Sequence, residues 1–158
     1  MRRTKIVIDS NLIIASYWNG TSASRRLIDL CLDEKFRTYH TIKIRKEAFL
    51  ILDKINARRS YKARIAELFR RGKRVVPRRK IEIVKKDPED NKYLECALRA
   101  KAGFIVTNDQ HLLAHDEFKG LRILPPGQFL RDCGLKKQRL PFLNRLGWPK
   151  KIRKESGL

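Results

Sequence analysis

Twice along this chain a short apolar run stops at a polar turn that carries an aspartate. Lys5-Ile6-Val7-Ile8 runs into Asp9-Ser10-Asn11, and Phe104-Ile105-Val106 runs into Thr107-Asn108-Asp109. Runs this short and this rich in β-branched residues read as buried strands. Between them, apolar residues fall at helical spacing: Leu27, Leu30 and Cys31, then Ile44, Ala48, Ile51, Leu52 and Ile55, then Tyr93, Leu94, Ala97 and Leu98. Phe36 to His40 and Leu121 to Leu124 add two more strands. Ile65 to Phe69 and Gln128 to Cys133 add helical pieces, and Val75-Val76 and Ile81 to Val84 read as short extended segments around Pro77. Ser22 or Ser24 is placed to cap the helix after Gly20. Strands alternating with helices predict an α/β domain with a largely parallel sheet.

The chain has 158 residues, the length of one domain with a core of its own. Its charge is far from balanced. Lys and Arg number 38 against 17 Asp and Glu, a net charge of +21. That surplus predicts a polyanionic partner, nucleic acid above all. The densest cationic stretch lies between Arg58 and Lys80, and Arg58, Arg59, Arg70, Arg71, Lys73 and Arg74 are the expected RNA contacts. A second basic run covers 136–154 without an acid, with Phe142 and Trp148 interspersed. The pattern therefore divides into a domain at 1–133 and a basic C-terminal extension at 134–158. Three scattered cysteines, Cys31, Cys96 and Cys133, with no Cys-x-x-Cys, fit a reducing compartment. The apolar run before Asp9 is too short for a signal peptide or membrane span, so the expected location is cytoplasmic, with no membrane partner.

Against this cationic background four acids stand at positions expected to face the core: Asp9, Glu47, Asp90 and Asp109. Asp9 and Asp109 end strands, and ligands of open parallel sheets bind outside the carboxyl ends of strands. Asp90 lies in the first turn of the helix opened by Asp87-Pro88-Glu89. Glu47 falls on the buried stripe of its helix, three residues after Ile44 and four before Ile51. Asp87 reads as that helix's cap and is left out of the set. Oxygen-only ligands suit magnesium or manganese. Two such ions about 3.5–4 Å apart can activate a water and stabilise the leaving oxygen of a phosphodiester. His111 and His115, four apart, offer no third soft ligand and do not make a zinc site.

Taken in order, these segments resemble the PIN domain family, in the branch of VapC-type toxins. Ile6-Val7-Ile8-Asp9-Ser10-Asn11 resembles the family's opening strand ending in Asp-Thr-Asn. Asp87-Pro88-Glu89-Asp90-Asn91-Lys92-Tyr93-Leu94 resembles its Asp-Pro-Asp-Asp-Asn-Lys-Phe-Leu segment. Ile105-Val106-Thr107-Asn108-Asp109 with Leu112-Leu113 resembles its Val-Thr-Gly-Asp strand end, and Ile123-Leu124-Pro125-Pro126 with Phe129-Leu130 its closing segment. The similarity spans roughly 4–131. It implies a three-layer α/β/α PIN-like domain with a central, mainly parallel sheet. It implies a Mg2+- or Mn2+-dependent endoribonuclease acting on single-stranded or structured RNA, with Asp9, Glu47, Asp90 and Asp109 as metal-site and catalytic acids. Ser10, Asn11 and Thr107 would support them by hydrogen bonds. It further implies a homodimer and, for a toxin, an inhibitory antitoxin. Ser10 stands where the family has Thr, and Lys43-Ile44-Arg45-Lys46-Glu47 is more basic than the family norm. The alternative is a noncatalytic RNA-binding protein of the same fold. A small-phosphate phosphatase would want an acid at position 11, where Asn11 stands.

Overall fold

In the computed structural model, which describes residues 2–135, one sheet of six strands is ordered β3-β2-β1-β4-β6-β5. The strands are β1 (Lys5–Ile8), β2 (Arg37–His40), β3 (Lys73–Arg74), β4 (Phe104–Val106), β5 (Glu117–Phe118) and β6 (Leu121–Leu124). All pairings are parallel except β5 with β6. Seven helices connect them: α1 (Ser10–Trp18), α2 (Ala23–Leu32), α3 (Ile42–Lys54), α4 (Arg59–Arg71), α5 (Asn91–Ala100), α6 (Gln110–Leu113) and α7 (Pro126–Asp132). A single 3-10 turn, Pro88–Asp90, leads into α5. Of the basic extension expected at 134–158, all but its first two residues, with Phe142 and Trp148, lies outside the described residues.

The two-residue period of the strands sorts their side chains into two cores. Ile6, Ile8 and Val106 face α1, α2, α3, α4 and α7, packing with Leu12, Leu27, Ile28, Leu52, Ile65 and Phe129. Val7 and Ile105 face the other side, where Tyr93, Leu94, Ala97 and Leu112 come from α5 and α6. The sheet is thus the middle layer of an α/β/α sandwich. Local chemistry starts the helices where the strands stop. Asp9, Ser22, Thr41 and Asp109 each accept a hydrogen bond from a backbone N–H in the first turn of α1, α2, α3 and α6.

Two expectations are corrected. Neither Val75-Val76 nor Ile81 to Val84 forms a strand. β3 is instead the charged pair Lys73–Arg74, held by its register with Tyr39 and His40. The antiparallel edge strand β5 was not expected at all. It is made by the two-residue turn Lys119-Gly120, both at positive φ (51° and 79°), the conformation a tight hairpin needs.

The order of strands places the site. From β1 the chain moves to β2 on one side and later to β4 on the other. The crevice outside the carboxyl ends of β1 and β4 is therefore the topological switch point, where open α/β sheets take ligands. Among the described residues no helix is long and apolar enough to cross a membrane. Cys31 and Cys96 are buried, Cys133 is exposed, and none is in a disulfide.

Candidate metal centre

Asp9 is where β1 meets this crevice. Its backbone N–H donates to the Val106 carbonyl at 3.1 Å, so it still belongs to the β1–β4 ladder. Its carboxylate is buried, accepting from the Asn11 N–H at 3.1 Å and from the Thr107 hydroxyl at 2.6 Å. Burial pushes the Asp9 carboxyl above the usual range, and the hydrogen bonds, from Thr107 first, pull it back only in part. Thr107 is used on both sides. It donates to Asp9 and accepts from the Asp109 N–H at 2.9 Å, tying the end of β1 to the turn after β4. Asp109 in turn caps α6 by accepting from the His111 N–H at 2.8 Å.

The third acid arrives from the opposite layer. Asp90 ends the 3-10 turn, is only 7% exposed, and its Oδ2 has no hydrogen-bond partner. Burial, then the neighbouring Asp109, Asp87 and Asp9, push its carboxyl up to about 8. Asp87, Asp90, Asp109 and His111 each present one ligand atom, and these atoms all lie within 4.8 Å of one another. A buried carboxylate oxygen with no donor, crowded by other carboxylates, is costly on its own account. A divalent cation would satisfy that oxygen and cancel the repulsion, so the residues present fit such an ion.

Glu47 is held differently. One oxygen accepts from the Lys92 ammonium at 3.0 Å, and the other accepts from the Tyr93 hydroxyl at 2.5 Å. That hydroxyl also accepts from the Ser10 N–H at 3.2 Å, so Glu47 is linked to the start of α1 through a shared phenol. Burial and the surrounding acids raise the Tyr93 phenol, which keeps it a donor. Lys92 is itself only 7% exposed and donates to the Glu89 carbonyl at 3.0 Å as well.

The structure thus brings Asp9, Asp90 and Asp109 into mutual electrostatic contact. Asp9 and Glu47 both stand outside the four-atom group, Asp9 held by Thr107 and Asn11 and Glu47 with both oxygens engaged. Asp87 and His111 enter that group. Asp87 does stand at the N-cap position of the 3-10 turn, but its side chain makes no cap hydrogen bond. The signal for its place was its spacing, since residues three apart eclipse in a 3-10 turn and Asp87 and Asp90 are three apart. His111, set aside in the sequence with His115, had one local signal, its place two residues after a capping Asp109. Lys92 had no local signal, because its partner Glu47 lies 45 residues away. Ser10 meets Tyr93 rather than an acid, and Asn11 supports Asp9 with its backbone N–H.

The expected RNA contacts are scattered. Arg70 and Arg71 pair with Glu67, and Arg71 also donates to the Leu32 carbonyl at the end of α2, remote from Asp9. Arg58 and Arg59 flank the start of α4, Lys73 and Arg74 form β3, and Arg74 lines a hollow together with Lys43 and Lys92.

A family model for the PIN domain matches residues 5–111, well over half of the chain. The chain belongs to the PIN domain family. A solved structure with this fold is that of PAE2754 from Pyrobaculum aerophilum, 17% identical, with a TM-score of 0.50, covering 85% of this chain and 100% of that one. At that identity the likeness speaks for the fold alone. No curated protein matches the chain. PIN domains are generally nucleases, typically dependent on divalent metal, and commonly bind RNA.

Proposed function

We propose that this PIN domain is an endoribonuclease dependent on Mg2+ or Mn2+. The observation that carries the reading is the unpartnered Asp90 Oδ2, buried among Asp9, Asp87 and Asp109. Asp90 and Asp109 would hold the ion, with Asp9 beside them and Asp87 and His111 within reach. A bound divalent ion would supply an activated water and stabilise the leaving oxygen of the phosphodiester. Thr107 fixes the Asp9 carboxylate and the Asp109 backbone relative to each other. Glu47 acts at one remove, orienting Tyr93 and so the Ser10 end of α1, while its pairing with Lys92 keeps a buried cation near the acids.

The resemblance to VapC-type sequences supports the narrower reading of a toxin restrained by an antitoxin protein. Trp18 and Leu50, 60% and 56% exposed, leave apolar surface on α1 and α3 that supports a homodimer. The unpaired cysteines support a cytoplasmic setting. The test is cleavage of single-stranded RNA in Mn2+ by the wild type and Asp9→Asn. We expect cleavage that EDTA stops and a loss of at least a hundredfold in the variant. Equal cleavage by both sinks the assignment. RNA binding without cleavage by either, indifferent to EDTA, would establish the noncatalytic alternative instead.

A further inference from the structure

Residues 75–87 form the longest stretch without regular structure among the described residues, yet they are pinned along their length. The Ile81 N–H donates to Glu95 at 3.0 Å, and the Ile83 and Val84 N–H groups donate to Asn91 at 3.1 and 2.8 Å. Asn91 donates back to the Val84 carbonyl at 3.0 Å, and Arg99 donates to the Val76 carbonyl at 3.0 Å. Asn91, Glu95 and Arg99 are four apart, so one stripe of α5 fastens the whole segment. It makes a wall fastened on both sides of the cationic run Arg78-Arg79-Lys80.

Between this wall and the start of α3 lies a groove of about 580 Å3. Its cationic lining is Lys43, Arg74, Arg78, Arg79, Lys80 and Lys92, and its one acid, Glu95, is already engaged by Ile81. A second hollow of about 570 Å3 shares Lys43, Lys80 and Lys92 with it and reaches Pro88 and Glu89, the residues between Asp87 and Asp90. The two adjoin through these lysines and Glu95, and the second, lined also by Glu82 and Glu89, borders the 3-10 turn that carries Asp90.

The cations here differ from those of α4. On α4, Lys62, Arg64, Arg70 and Arg71 have Asp53, Asp29 and Glu67 as partners. Among the described residues, Lys43, Arg74, Arg78 and Arg79 have no acid within ion-pairing distance. Of these, Arg74 acts on His40, which burial first, and then Arg45 and Arg74, push down to about 4. The groove also holds uncovered apolar surface, since Ile42 is 49% and Val76 71% exposed. A duplex hides its base faces and cannot cover such side chains. A single strand can, with phosphates on the rim and bases over the floor.

We propose that single-stranded RNA lies in this groove, its phosphates on Lys43, Arg74, Arg78, Arg79 and Lys80, and its bases over Ile42 and Val76. The direction of the strand, toward Asp90, rests on the nuclease reading; the groove's occupancy does not. The test uses the full chain in EDTA, so that neither metal nor cleavage enters. Binding of a fluorescein-labelled, unstructured RNA is followed by anisotropy across about 50–200 mM salt for three proteins. These are the wild type, R78A/R79A/K80A in the wall, and R2A/K35A/K54A, which removes equal charge at the opposite end of the sheet. The wall variant should bind at least tenfold more weakly and flatten the salt slope by about 2, three phosphates at ~0.7 each. The control should change less than threefold. Arg78→Glu, a single exposed change, should weaken binding on its own and guards against a misfolded triple variant. Equal losses in both triple variants, or an RNA hairpin duplex bound as tightly as the single strand, would overturn the proposal. So would a wall variant that keeps RNA but loses polyglutamate, which would mark the groove as a seat for an acidic peptide. Groove binding without cleavage in Mn2+ would leave this proposal standing and remove the nuclease reading alone.

Discussion

Asp90→Asn should make the metal-free protein more stable while ending its response to metal. The Asp90 carboxyl, ordinarily at 3.8, is pushed up to about 8 in the fold, by burial first and then by Asp109. The fold therefore favours the protonated form. Stability from this group is fully present below about pH 4 and is lost as pH rises toward 8. Each unit of displacement is worth about 1.4 kcal/mol. At pH 7 the ionised form would burden the fold by ~4 kcal/mol if the whole effect belonged to Asp90, and by about half that if the proton is shared with Asp109. Asparagine keeps the shape and removes the charge, so the expected gain at pH 7 is about 2–4 kcal/mol, roughly 6–12 °C in Tm for a domain of this length. At pH 4 the gain should shrink to under about 1 kcal/mol, because the wild-type side chain is then neutral as well. Urea unfolding in EDTA, followed by far-UV circular dichroism at both pH values, measures the difference. Added Mn2+ should stabilise the wild type and leave the variant unmoved. A variant less stable than wild type at pH 7, or a gain of equal size at both pH values, would refute the picture of Asp90 as a carboxylate strained for want of a cation.

Two further outcomes follow from the same geometry. Thr107→Val removes the donor to Asp9 and leaves the Asp109 N–H without its acceptor, at a cost of about 1–3 kcal/mol in thermal or urea unfolding. RNA cleavage should fall at least tenfold, and Thr107→Ser should restore both; a serine variant as impaired as the valine one would count against the hydroxyl. Mn2+ affinity, read by the Tm increment, should weaken by up to about tenfold per unit as pH falls from 8 toward 5, because protons compete for the raised Asp90. A flat profile over that range would remove Asp90 from the ligands.

The central strands were legible because a parallel strand buried on both faces has to be written as an unbroken apolar run, and Ile6-Val7-Ile8 and Phe104-Ile105-Val106 are such runs. Asp9 and Asp109 were legible for a related reason. The same side chain ends a strand, caps the next helix and faces the switch point, so local and global signals coincide. The rest escaped where a residue's role depends on a distant partner. Lys73–Arg74 has no strand pattern and is a strand only because β2 lies beside it. Ile81–Val84 has a strand pattern but loses its backbone donors to Asn91 and Glu95 of α5. Glu47 sits on the right stripe of α3, but the stripe says nothing of Lys92 and Tyr93 arriving from α5 to occupy both oxygens. Asp87 shows a different limit, since cap and ligand call for the same residue type and only the unmade cap bond separates them.

The basic surface follows the same logic. A net charge of +21 points to a polyanion but cannot say where it lies. Density of Lys and Arg favours α4, yet there the acids Asp29, Asp53 and Glu67 neutralise much of the field. The wall at 75–80 has fewer cations, but Arg78 and Arg79 stand opposite Lys43 without such partners, Lys80 meets only the exposed Glu82, and the hollow between adjoins the turn that carries Asp90. A cluster of four carboxylates repels the phosphates it is proposed to act on, and a single divalent ion offsets only half of that charge. Flanking cations that stay unpaired are therefore as necessary to the proposed centre as the acids themselves. This is why unpaired charge beside the switch point, and not charge density along the chain, marks the expected path of the strand.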